Sequence, residues 1–123
     1  MSLETYFVFV YNNAYLKSLY NKYNKQYFDG SLPDIVVGYG TTKQFKEHRV
    51  KKGTCAFTSF DDETHTKPTA IVIHYFHGKS MAYIKMDLFH EMTHVAKPRA
   101  DHGDVFNEEM LRLANSKAFY GIW

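Results

Sequence analysis

His90, Glu91 and His94, within the run His90-Glu91-Met92-Thr93-His94, are the residues whose types and spacing carry chemistry in this chain. On a helix, residues four apart share a face, so the two imidazoles can address one metal ion. Glu91 is turned by about 100° from His90 and reaches a water at that ion rather than the ion itself. Two nitrogen ligands, a third ligand from elsewhere and a carboxylate that deprotonates water are the parts of a zinc-dependent peptidase.

A helix must hold these residues, and the flanking sequence predicts one. Ser80 is a cap residue, and Pro98 pushes Lys97 out of the α region, ending the helix near Ala96. Met81, Ile84, Leu88, Met92 and Val95 recur at helical spacing as an apolar stripe. His90 and His94 project more than about 90° away from Leu88, so they belong to a polar face or to a covered site, not to the core face.

The third ligand is expected from the segment that follows. Lys97-Pro98-Arg99-Ala100 reads as a turn, and Asp104 as the cap of a new helix with Phe106, Met110, Leu113 and Lys117 on one face. A tight return brings His102 back beside His90 and His94, and Gly103 permits close backbone approach. Asp104, Glu108 and Glu109 are carboxylate alternatives. His102 is preferred because it lies outside the helix and is free to turn inward. Asp87, Asp101 and Asp104 are candidates to orient a ligand imidazole from behind.

These residues resemble the SprT-like family of zinc metalloproteases, which includes the Spartan-type DNA–protein crosslink proteases. His90-Glu91-Met92-Thr93-His94 is similar to the family's H-E-M-x-H, and His102-Gly103-x-x-Phe106 to its H-G-x-x-F/W, where the histidine is the third ligand. Tyr27-Phe28-Asp29-Gly30-Ser31-Leu32-Pro33 resembles the stretch that closes the family's first helix. Gly53-Thr54-Cys55-Ala56 and Ile71-Val72-Ile73 fall where the family has strands. The resemblance spans roughly residues 12 to 115. It implies a minimal zincin-like domain covering 1–123, one zinc ion per chain on His90, His94 and His102, Glu91 as general base, and a protein or peptide substrate, including DNA-associated or crosslinked proteins. It also implies that the strand before the active helix, Ile71 to Tyr75, receives an extended substrate backbone, with His74, Tyr75 or His77 near the scissile carbonyl.

Stepping along the chain, Leu16, Leu19, Tyr20, Tyr23 and Tyr27 form a helical stripe from about Asn12 to Phe28, ended by Asp29-Gly30. Tyr6 to Tyr11 is an aromatic run compatible with strand or helix. Ile35-Val36-Val37, Thr54 to Phe60 and Thr69 to Tyr75 read as strands. The predicted order is helix, three strands, active helix, closing helix. The fold class is α+β: a small mixed or antiparallel sheet packed against the active-site helix, with helices flanking one side. Asp61-Asp62-Glu63 reads as a solvated turn, and His74 with His77 as polar strand-end residues rather than a second metal pair.

Composition sets the outer limits. The chain has 123 residues, 45% of them hydrophobic, which suits one core and not a disordered chain. No apolar run approaches the ~20 residues of a membrane span, and no signal peptide is visible, so a cytoplasmic monomer is the expectation. Cys55 is the single cysteine, which excludes an internal disulfide and a cysteine-built zinc ribbon; it reads as a buried free thiol in a strand. The net charge of +2 gives nucleic acid little overall support. One segment differs: Lys43, Lys46, Arg49, Lys51 and Lys52, with His48 and Phe45 among them, read as a solvated loop or as a contact to single-stranded DNA. Two further functions therefore stand beside the peptidase: a non-catalytic zinc-containing binding module, and a nucleic-acid-binding protein using the 43–52 segment.

Overall fold

The computed structural model describes residues 13–61, 63–64, 66–98, 102–120 and 122. The Tyr6–Tyr11 run and Asp101 lie outside the described residues. The architecture is α+β. Helix α1 spans Ala14–Tyr27, strand β1 Val36–Thr41, helix α2 Thr42–Glu47, strand β2 Ala56–Phe60, strand β3 Pro68–Tyr75, helix α3 Met81–Ala96 and helix α4 Asp104–Asn115.

Local signals set the helix limits. Asn13 caps α1 by accepting the Leu16 amide at 3.0 Å. At the other end, Gly30 adopts φ 70° and returns its N–H to Asn24 O at 2.9 Å. Ser80 caps α3 by accepting the Tyr83 amide, and α3 ends at Ala96, two residues before Pro98. Helix α4 begins at Asp104, but its cap is Gly103 with no side-chain hydrogen bond, so the expected capping role of Asp104 is not realised. Lys117, expected on the α4 face, lies beyond that helix at φ 65°.

The sheet has the order β1-β3-β2, with β1 parallel and β2 antiparallel to β3. Strand β3 is therefore central. Ala70, Ile71, Val72 and Ile73 are all at most 1% exposed, because both faces of the strand are covered. Ile71 and Ile73 join Val37 and residues of α1, α3 and α4 in the main core. Val72 packs on the opposite face with Phe45, Val50 and Phe57 in a smaller cluster. The sheet is thus covered by helix on both faces, not on one as expected, because the short α2 places Phe45 against Val72.

Helix α2 corrects the reading of the 43–52 segment as a plain loop. Thr41 and Gln44 form a reciprocal capping box that starts it. A Cβ on Gly40 would lie 2.4 Å from the Phe45 ring, so glycine there is what lets this helix dock on the sheet.

In the main core, the Phe89 ring stacks on Tyr23 at 4.2 Å and meets Phe119 edge-on at 5.4 Å. Burying such a ring contributes on the order of 2–3 kcal/mol. With Leu88, Met92 and Thr93 also fully buried, this packing fixes the rotation of α3 about its axis. His90 and His94 are consequently turned toward β2 and the start of α4.

Candidate metal centre

Three imidazoles converge where α3 passes the segment before α4. His90 Nε2 and His94 Nε2 each lie 3.0 Å from His102 Nε2. Hydrogen bonding does not account for this. One ring nitrogen carries either one proton or one lone pair, so His102 Nε2 cannot bond to both neighbours. Nitrogens held at about 2.0–2.1 Å from one tetrahedral zinc ion lie a little over 3 Å apart, close to the observed spacing. The donor set of three imidazoles suits zinc among the divalent metals without excluding its neighbours in the series. His90, His94 and His102 form the single group of metal-ligating type among the described residues.

Phe106 supports all three rings. Its centroid lies 4.9 Å from His90, 4.7 Å from His94 and 4.9 Å from His102, and the residue is 4% exposed. One buried phenyl one turn into α4 thus packs against every imidazole of the cluster. Burial, with His102 alongside, lowers the pKa of His90, favouring the neutral ring that a metal requires.

Glu91 points from the same helix into the neighbouring cleft. It is 5% exposed, and its Oε1 accepts a hydrogen bond from Thr58 Oγ1 at 3.0 Å. The same hydroxyl lies 3.3 Å from Glu91 O, so Thr58 ties β2 to the α3 backbone as well as to the carboxylate. Burial pushes the Glu91 carboxyl up to about 7; the Thr58 bond opposes the rise and Asp87 adds to it. A cavity of about 300 Å³ joins these parts, lined by Thr58, Phe60 and Ala56 of β2 and by His90, Glu91, His94 and His102.

Among the described residues, strand β2 is the edge of the sheet on this side, and no described strand uses its outer backbone groups. That corrects the expectation for Ile71 to Tyr75, which cannot accept a further strand because β1 and β2 flank it. His74 is likewise engaged elsewhere: its Nε2 lies 2.8 Å from Thr42 Oγ1, and its ring stacks on Phe45 at 4.8 Å. His77 is exposed.

None of the other described contributors joins the three histidines in the metal-ligating group. Asp87 faces Lys79 at 2.7 Å instead of a ligand imidazole. Glu109 pairs with Arg112, and Asp104 and Glu108 are exposed. Cys55 is exposed just ahead of β2, not buried within a strand. The Asp61 carboxylate accepts the amides of Thr64, Thr66 and Lys67, which organises its loop and holds its pKa well below the usual range.

The basic residues lie around α2, and three of them share a cavity. Lys46, Lys51 and Lys52 line a cavity of about 470 Å³ with Phe45 and Val50. Lys43 faces Glu47 at 4.0 Å on the exposed side of α2, and Arg49 follows that helix at φ 58°.

The chain matches no protein-family model, no curated protein and no solved structure. Among the described residues, no helix is long and apolar enough to cross a membrane.

Proposed function

We propose that this protein is a mononuclear zinc metallopeptidase of the SprT-like type. The convergence of His90, His94 and His102, with the Glu91 carboxylate opening into the adjacent cleft, carries the reading. His90, His94 and His102 would hold one zinc ion, which supplies an acidified water and a polarised peptide carbonyl. Glu91 accepts the proton of the attacking water at its carboxylate and delivers it to the leaving amine. Thr58 keeps that carboxylate aimed into the cleft. An extended substrate lies along the free edge of β2, adding a strand beside Ala56–Phe60. A binding module without turnover has no use for a buried carboxylate beside three imidazoles, because burial of an acid is costly.

The test is zinc content by elemental mass spectrometry, paired with hydrolysis of an unstructured protein. Wild type is expected to hold about one zinc per chain and to cleave. His102→Ala is expected to lose most of the metal and the activity, and Glu91→Gln to keep the metal and lose the activity. A metal-loaded wild type that cleaves nothing would favour the binding module.

A second reading concerns what the peptidase acts on. Lys46, Lys51 and Lys52 surround a partly apolar cavity beside the Phe45 ring. Three exposed lysines at one cavity can contact the phosphates of a single strand, while the Phe45 ring, 6% exposed, belongs to the core beneath them. That favours a substrate protein bound to DNA.

A further inference from the structure

A second cavity, of about 310 Å³, lies between the entry to β2 and the first turns of α3. Cys55, Phe76, Gly78, Lys79, Tyr83 and Asp87 are among the residues that line it. It lies next to the Glu91 cavity along both elements: Cys55 immediately precedes Ala56, and Asp87 is one helical turn before Glu91. Its one buried cation is neutralised from within. Lys79 Nζ lies 2.7 Å from Asp87, donates to His74 O at 2.6 Å and reaches Cys55 O at 3.5 Å. With the Lys79 and Asp87 charges paired, the cavity offers no spare charge from them, and its rim is aromatic: Phe76 is 48% and Tyr83 59% exposed.

Distance along the strand relates this cavity to a bound peptide. Thr58 marks the level of Glu91, and Cys55 is three residues earlier, about 10 Å away at 3.3–3.4 Å per residue. A chain paired with the outer edge of β2, its scissile bond at Glu91, brings a side chain two or three residues from that bond over the cavity. A volume of about 310 Å³ admits one large side chain.

We propose that this cavity is a specificity subsite that takes a large apolar or aromatic side chain of the substrate, two or three residues from the cleaved bond. The proposal rests on the peptidase reading, which fixes where the cleaved bond lies. The preferred substrate is then an extended segment carrying Phe, Tyr, Leu or Met at that position, not a uniformly polar one.

Two readouts separate the subsite from the chemistry. The probes are ten-residue peptides, identical except for Phe or Ser at one position, with that position moved through three residues on either side of the cleaved bond. Wild type is expected to favour Phe at one position by about tenfold or more in kcat/KM. Cys55→Trp, which fills the cavity from an exposed position, is expected to collapse that ratio. The second readout needs no turnover: alkylation of Cys55 by iodoacetamide in the Glu91→Gln protein, followed by mass spectrometry. The Phe peptide is expected to slow it several-fold, and the Ser peptide much less.

Hydrolysis without side-chain preference, with Cys55 alkylated equally under both peptides, would overturn the subsite and leave the peptidase standing. Phe-dependent protection of Cys55 without hydrolysis would support the cavity as a peptide site and remove the peptidase. Loss of both readouts would overturn both.

Discussion

The Thr58 hydroxyl donates to the Glu91 carboxylate at 3.0 Å, joining strand β2 to helix α3 across 33 positions of sequence. A glutamate side chain has several rotamers, and the Thr58 bond favours the one that keeps Oε1 against β2. Thr58→Val removes the donor at nearly constant volume. Turnover is expected to fall by about 10–100-fold while zinc content stays near one per chain. Thr58→Ser restores the donor and should recover most of the rate. Equal rates in the valine and serine variants would reduce Thr58 to a packing role.

The same buried carboxylate makes the metal-free protein sensitive to pH. In the fold the Glu91 carboxyl sits at about 7, above its ordinary value of 4.5, so the folded chain holds this proton more tightly than the unfolded chain. The stabilisation is present in full below about pH 4.5 and is lost as pH rises toward 7. Glu91→Gln removes the dependence and retains an acceptor for Thr58. Under chelation at pH 8, the variant is expected to be more stable than wild type by up to about 3 kcal/mol, with the gap closing below pH 5. Urea unfolding at both pH values measures it. A wild type that matches the variant at pH 8 would mean that Glu91 ionises in the fold without cost.

Thr58 also shows where sequence reasoning stops. Helix α3 and the shared face of His90 and His94 are legible because Ser80, Pro98 and the histidine spacing act within one element. His102 was legible from the short return to α4. The Thr58 contact was not, since it depends on which strand reaches the sheet edge. The sequence does carry one signal for it. Ala70-Ile71-Val72-Ile73 is an unbroken apolar run, the pattern of a strand covered on both faces and therefore central. That pattern passes the edge position to β2. Likewise, Thr41 followed by Gln44 three residues later is a capping-box signature that announces α2. The sequence places Phe106 on a helix face, but its contact with three imidazoles at once comes only from the packing of α4 on α3.

Phe106→Ala therefore tests more than a core residue. Removing a buried phenyl ring costs about 3–5 kcal/mol of stability in general. Here it also frees the rings of His90, His94 and His102, which it contacts at 4.7 to 4.9 Å. Zinc affinity, measured by competition with a chromogenic chelator, is expected to drop by at least about tenfold. Phe106→Leu, which retains bulk, should fall between. Destabilisation with unchanged affinity would show that the backbone alone orients the ligands.

The basic segment gives a prediction independent of the metal. Each lysine that contacts a phosphate of single-stranded DNA steepens the fall of log K with log salt by about 0.7. Lys46, Lys51 and Lys52 line one cavity, so replacing all three by alanine should weaken binding to an oligothymidine and flatten the slope by up to about 2. All three carry exposed side chains, and Phe45 beneath them is buried against Val72, so the fold of this segment keeps its place in the variant. Fluorescence anisotropy at several salt concentrations reads both quantities, with and without chelator. Binding that is unchanged by the triple replacement would make this segment a solvated face. Binding that is lost with it but indifferent to the chelator would establish a DNA contact separate from the zinc centre.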